Sequence, residues 1–181
     1  MNAINKTADL AARAGEQLFQ FAIDRGDMKV ILDTLPPMAA GKRAVLEYEI
    51  QLLRIISVGW AVAFFLVEDE LKIPIGELFW EHVRAFAATL STSASLTVGS
   101  DINYFDILKQ RLDFYVGTLD GAGQVSQPTM VIGPAFADAC GDIDDPCATL
   151  AGGKMFSHII HAVREYLRET VGQQDRNGEH P

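Results

Sequence analysis

With 181 residues, 49% of them apolar and 22% charged, the chain has the balance of a globular protein and is long enough to enclose a real core, which excludes an intrinsically disordered chain. Its net charge is -9, divided into about -3 over residues 1–90 (9 basic, 12 acidic) and -6 over residues 91–181 (6 basic, 12 acidic). No Lys/Arg cluster interrupts this acidity, so no nucleic-acid partner and no membrane-surface partner is expected. The N-terminus mixes polar with small apolar residues rather than carrying the unbroken apolar stretch of a secretory signal, and a cytoplasmic protein is expected. In that setting Cys140 and Cys147 remain thiols, and their C-x6-C spacing is not that of a tight zinc or redox pair.

Along the chain, Ala11, Ala14, Leu18 and Ala22 recur at steps of three and four and predict a first helix over residues 5–24, stopped near Gly26. Asp27 can cap a short second helix ending before Pro36 and Pro37. A third helix begins near Ala40 and reaches as far as Glu70. Within it Ile55 to Val67 is free of charge, so this stretch must be enclosed by other helices. At thirteen residues it is short of the roughly 20 needed to span a bilayer. The polar stripe Glu47, Gln51, Arg54 gives way on the same track to Val58, Ala61 and Phe65, marking passage from a half-wet position to the interior. Gly59 offers a close-packing point there. The acidic triplet Glu68, Asp69, Glu70 opposes the helix dipole, so either the helix ends near Val67 or positive charge lies nearby.

A fourth helix is expected over residues 76–90 with Phe79, Val83, Phe86 and Leu90 buried, and the Ser/Thr-rich stretch 91–100 then reads as a loop or frayed end. Asp101 can cap a fifth helix whose seam is Phe105, Leu108, Leu112, Tyr115 and Leu119. Turn residues over 120–133 predict the longest irregular segment. Pro134 opens a short helix to Cys140, and Asp145 followed by Pro146 repeats a cap-then-proline signal. The last helix is placed over 153–171, stopped by Gly172. The chain is thus expected to form an all-α single-domain bundle of six or seven helices over residues 1–172, with a loose tail over 173–181 and no cofactor required to fold.

No spacing of catalytic side chains demands a particular chemistry. His158 and His161, three apart with Glu165 beyond, oppose the Phe156, Ile160, Val163, Leu167 stripe and should face water beside Arg168. Joining them to Cys140 and Cys147 gives no standard zinc spacing, and no metal site is assigned. The acids Asp138, Asp142, Asp144 and Asp145 fail the EF-hand pattern at Pro146, Cys147 and Gly153. His82 falls on the flank of an apolar stripe, a position for a half-buried packing residue. Arg54, the last charge before the apolar run, is expected to pair with Glu47. Ile107 and Phe114 lie on the back of the fifth helix, opposite its seam, and mark a second surface to be covered by another helix, a second subunit or a partner. The leading functional expectation is a non-catalytic protein acting through protein contacts, as a homo-oligomer, homodimer by preference, or with another protein partner. The alternative is a domain that binds a small apolar ligand between helices, with His82, Arg54, Trp60 and Trp80 as binding residues. A metal-dependent enzyme ranks third, and enzymatic activity is not the expectation.

Overall fold

The computed structural model describes residues 3–99, 101–121 and 127–177. Seven helices account for the architecture among these residues: α1 (Ala3–Ile23), α2 (Gly26–Asp33), α3 (Ala40–Phe65), α4 (Lys72–Val98), α5 (Tyr104–Gly121), α6 (Thr129–Ala139) and α7 (Pro146–Asn177). The expected all-α bundle around a long apolar helix is what the chain forms. α3 packs against all six other helices, and Leu53, Val58, Ala61 and Val62 on it are buried. It is long and apolar enough to cross a membrane, but most of that stretch is enclosed within the domain.

Several element bounds differ from the sequence expectation, each for a local reason. α3 stops at Phe65, before the acidic triplet. Asp69 instead holds the corner, its Oδ1 accepting from the Leu71 N–H at 2.8 Å. α4 begins earlier than residue 76, with Pro74 in its first turn, where a missing N–H costs nothing. It also continues through the Ser/Thr-rich stretch to Val98, so that segment is neither loop nor frayed end. Thr89, Ser91, Thr92, Ser93 and Thr97 each donate a hydroxyl hydrogen bond to the carbonyl four residues back, at 2.8–3.0 Å, satisfying the hydroxyls within the helix.

Asn103, not Asp101, caps α5: its Oδ1 accepts from the Asp106 N–H at 3.2 Å and its Nδ2 donates to Asp106 Oδ2 at 2.6 Å. Of the segment expected to be irregular over 120–133, residues 122–126 lie outside the described residues, while residues 129–133 are helical. Pro128 occupies the N-cap of α6 and Pro134 lies inside that helix instead of opening it. Asp145 caps α7 as expected, accepting from the Cys147 N–H at 2.9 Å, so that helix starts at Pro146 rather than 153. α7 runs past Gly172 to Asn177.

Glycines set the closest helix crossings. A Cβ on Gly59 would lie 2.4 Å from Trp80 Cζ2, so the α3–α4 contact requires a residue without a side chain there. Gly152 does the same for α7 against α6, where a Cβ would meet Phe136 Cβ at 2.4 Å. Gly76 is the control, since nothing lies within 4 Å of its would-be Cβ inside α4. Gly59→Ala is expected to destabilise the fold by about 1–3 kcal/mol through overpacking, whereas Gly76→Ala should stabilise it by about 0.5–1 kcal/mol. Urea denaturation of the two variants checks this, and equal midpoints would overturn it.

Candidate functional site

A groove of about 340 Å³ opens where α3, α4, the start of α5 and the end of α1 meet. Its α3 wall is Ala44, Tyr48, Leu52 and Ile55, spaced four, four and three apart and therefore on one helical face. The α4 wall is Val83, Phe86, Ala87 and Leu90; Val83, Phe86 and Leu90 belong to the stripe expected to be buried, but Leu90 is exposed. Ile23 closes one side and Leu108 the other. Two of these positions are alanines, Ala44 and Ala87, which leave the space unfilled.

Polar groups sit among these apolar walls: Arg25 from the α1–α2 corner, Glu47 and Gln51 from α3, and the phenols of Tyr48 and Tyr104. Glu47 is held by Arg43, with Nε to Oε1 at 3.0 Å. Gln51 donates from Nε2 to the Ala22 carbonyl at 2.9 Å, while its Oε1 is shielded and has no hydrogen-bond partner among the described residues. Burial, and after it the charge of Glu49, pushes the Tyr48 phenol up from its ordinary value, so it stays a neutral O–H donor at neutral pH.

The residues expected from sequence to bind a ligand do not line this groove and do not converge. Arg54 does not pair with Glu47. It is fully buried, and its guanidinium donates to the Phe21 carbonyl at 2.7 Å and the Ala22 carbonyl at 3.3 Å, lies 3.7 Å from Asp27 Oδ2, and sits over the Phe21 ring. Burial lowers its affinity for a proton, opposed by Asp27 and Asp24. Its partners are carbonyls at the end of α1, the negative end of a helix dipole, which no spacing within α3 could reveal. His82 is half-buried and stacks on Phe19 with ring centroids 5.5 Å apart, the packing role expected of it. Trp60 stacks on Phe64 at 4.7 Å and borders a second cleft with Phe65, Phe156 and Arg164. Trp80 packs edge-on against Phe79 and borders a third cleft with Arg84, Phe105 and Lys109.

Ile107 and Phe114 are partly buried against the core, and the Phe114 ring meets Tyr115 edge-on at 5.3 Å, so the back of α5 finds contacts inside the domain. His158 and His161 are exposed, as expected. His158 Nε2 lies 3.1 Å from Asp27 Oδ2, and Glu165 pairs with Arg168 at 3.0 Å. Among the described residues no three His, Cys, Asp or Glu side chains are placed to hold a metal ion. Cys140 is half-buried, and burial, with the charges of Glu49 and Asp145, pushes its thiol up to about 12, so it is no thiolate at neutral pH.

Sequence reasoning missed an ion pair made by the buried Glu49 with the partly exposed Arg111. Glu49 accepts two hydrogen bonds from Arg111, at 2.8 and 2.7 Å, and Arg111 also reaches the Ala139 carbonyl at 3.4 Å. Glu49 shares a face with Leu46, Leu53 and Ile56, and a lone acid in such a stripe was the available signal for a buried partner. Beside this pair the buried Tyr115 hydroxyl has no partner among the described residues, and burial pushes its phenol far up.

Comparison with protein-family models, curated proteins and solved structures finds no match, so no residue role is carried over from a relative. Arg54 is then assigned from its contacts alone. Arg54→Met, which keeps the stem but strips donors from two carbonyls, should lower stability by about 3 kcal/mol. Arg54→Lys should recover only part of this, since an ammonium lacks the planar fork that serves both carbonyls. Denaturant midpoints test the ordering, and a methionine variant as stable as the parent would refute the assignment.

Proposed function

We propose that the protein is a non-catalytic helical domain that binds a small apolar ligand in the groove between α1, α3, α4 and α5. The observation that carries this reading is the groove itself, at about 340 Å³. Ligand sites typically measure about 300–1,000 Å³, with mainly apolar walls and a few placed polar groups. The lining contains no His, Cys, Ser, Thr or Lys, and its one carboxylate, Glu47, is engaged by Arg43. This composition suits binding better than nucleophilic or general acid–base chemistry.

A second reading, self-association as a homodimer, draws support from a different surface. Phe64 is 57% exposed although stacked on Trp60, and Met130 is 70% exposed. Aromatic residues and methionine on a surface are the types that anchor protein contacts.

Decanol, titrated below its solubility limit, is expected to shift the methyl NMR signals of Leu52, Val83 and Leu108, and Ala44→Trp should abolish those shifts while leaving the fold intact. Ala44 is exposed, so filling the groove from there does not strain the core. Shifts that persist in the tryptophan variant, or none in the parent, would dismiss the groove as a ligand site. Light scattering of the same samples decides the second reading: a monomeric mass would count against it, and a dimer that Phe64→Asp dissociates would support it.

A further inference from the structure

We infer that the ligand of the groove is an amphiphilic carboxylate, its hydrocarbon body between α3 and α4 and its head group on Arg25, Tyr48 and Tyr104. This rests on the reading of the groove as a ligand site and adds the chemical class. The polar groups of the lining are unequally provided for. Glu47 has its counterion in Arg43, and Gln51 spends its donor on the Ala22 carbonyl. By contrast, among the described residues no carboxylate lies within ion-pair distance of Arg25, and neither the Tyr48 nor the Tyr104 phenol has a hydrogen-bond partner. Arg25 and Tyr48 are exposed to water, so what the groove offers a ligand is one guanidinium and two O–H donors that no described protein group engages, with no uncommitted carboxylate against them.

Three donors of this kind match an acceptor bearing a single negative charge. A guanidinium takes a carboxylate through two parallel N–H bonds, and a phenol adds a short O–H···O⁻ bond. A cationic head would meet Arg25 with like charge, and a neutral alcohol would leave the guanidinium's charge unmatched. The apolar walls fix the other half of the molecule. The α3 side of the lining runs from Ala44 to Ile55, which at the helical rise is about 16 Å of groove. This suits an extended or gently folded alkyl body rather than a compact polar metabolite. The net charge of -9 gives long-range attraction to no anion, so burial of the hydrocarbon must supply the affinity and Arg25 the orientation.

The test compares decanoate, decanol and decylamine, one chain length with three heads, all below micelle formation, by calorimetry and by the methyl signals of Leu52 and Val83. Decanoate should bind about tenfold tighter than decanol, the worth of one well-formed charged hydrogen-bonding pair, and decylamine weakest of the three. Arg25→Gln should erase the decanoate advantage and leave decanol binding within about twofold, and with Arg25 kept, Tyr48→Phe with Tyr104→Phe should remove part of that advantage. Arg25 makes no side-chain capping bond to α2, so its substitution spares the helix start. Equal binding of decanoate and decanol, or a decanoate preference that survives Arg25→Gln, overturns the carboxylate assignment while the groove stands. Failure of all three ligands to move the groove signals overturns both.

Discussion

The fold depends on one buried cation. Arg54 places a guanidinium with no solvent exposure where α1 ends, and the carbonyls of Phe21 and Ala22 that α1 leaves without helical donors receive its N–H groups. Taking an unpaired cation out of water costs several kcal/mol even in a relaxed protein interior. That cost is offset only while α1, α2 and α7 stay in place around it. α1 supplies the carbonyls and the Phe21 ring, α2 supplies Asp27 at 3.7 Å, and α7 supplies Met155 Sδ at 3.6 Å. Asp27 is in turn engaged by His158 of α7. A displacement of any one of these helices exposes or orphans the charge, which makes the arrangement specific in a way that apolar packing alone does not.

The same residue links core to groove. Gln51, three positions before Arg54 and so nearly above it on α3, donates to the same Ala22 carbonyl. Two α3 side chains thus hold the end of α1, and Ile23 and Arg25 at that end form one side of the groove. Further polar ties fix α3 elsewhere. Glu49 is joined to Arg111 of α5, which also bonds the Ala139 carbonyl at the end of α6, while Lys42 reaches Asp145 at the start of α7 at 2.8 Å. In Asp145, burial works against ionisation, but the Lys42 ammonium and the N–H groups of Cys147 and Ala148 outweigh it and hold the carboxyl below its ordinary value. These ties cluster in the first half of α3. From Ile55 onward the helix is held by apolar contact and by the close approach allowed at Gly59.

What the sequence made legible follows from this division. The central place of α3 could be read from its apolar run, although Phe64 and Val67 of that run are exposed and the run is not enclosed on every side; the stripes of α5 and α7 followed from spacing, and that of α4 held as far as Phe86, with Leu90 exposed. The extent of α4 could not, because Ser and Thr signal a loop by propensity, and only the helix itself shows each hydroxyl returning to its own backbone. The start of α6 was hidden for a related reason: Gly133 reads as a turn residue, yet a Cβ there would meet the Thr149 carbonyl at 2.9 Å, so it is a packing notch. Which residue a distant partner is, as for Arg54 with Phe21 or Glu49 with Arg111, leaves no trace in periodicity, even where a lone acid in an apolar stripe shows that a partner is needed. The groove was half legible. Val83, Phe86 and Leu90 of its α4 wall stood out as an apolar stripe, but the α3 wall did not, the space arises from Ala44 and Ala87 at a crossing of helices, and the rim residue Arg25 has no pattern to mark it.

The polarity gradient along α3 also separates two candidate surfaces. Toward its start, where polar and apolar side chains alternate around the helix, a groove forms with walls that are apolar and a rim that carries donors. Toward its end, where no charge remains on α3, the helix shows Trp60 and Phe64 at the surface, beside a cleft to which Thr129, Ser157, His161 and Arg164 of α6 and α7 contribute the polar groups. On the proposed readings, a small molecule would be bound beside the first part of α3 and a second copy beside its end, and the two would not compete for the same side chains.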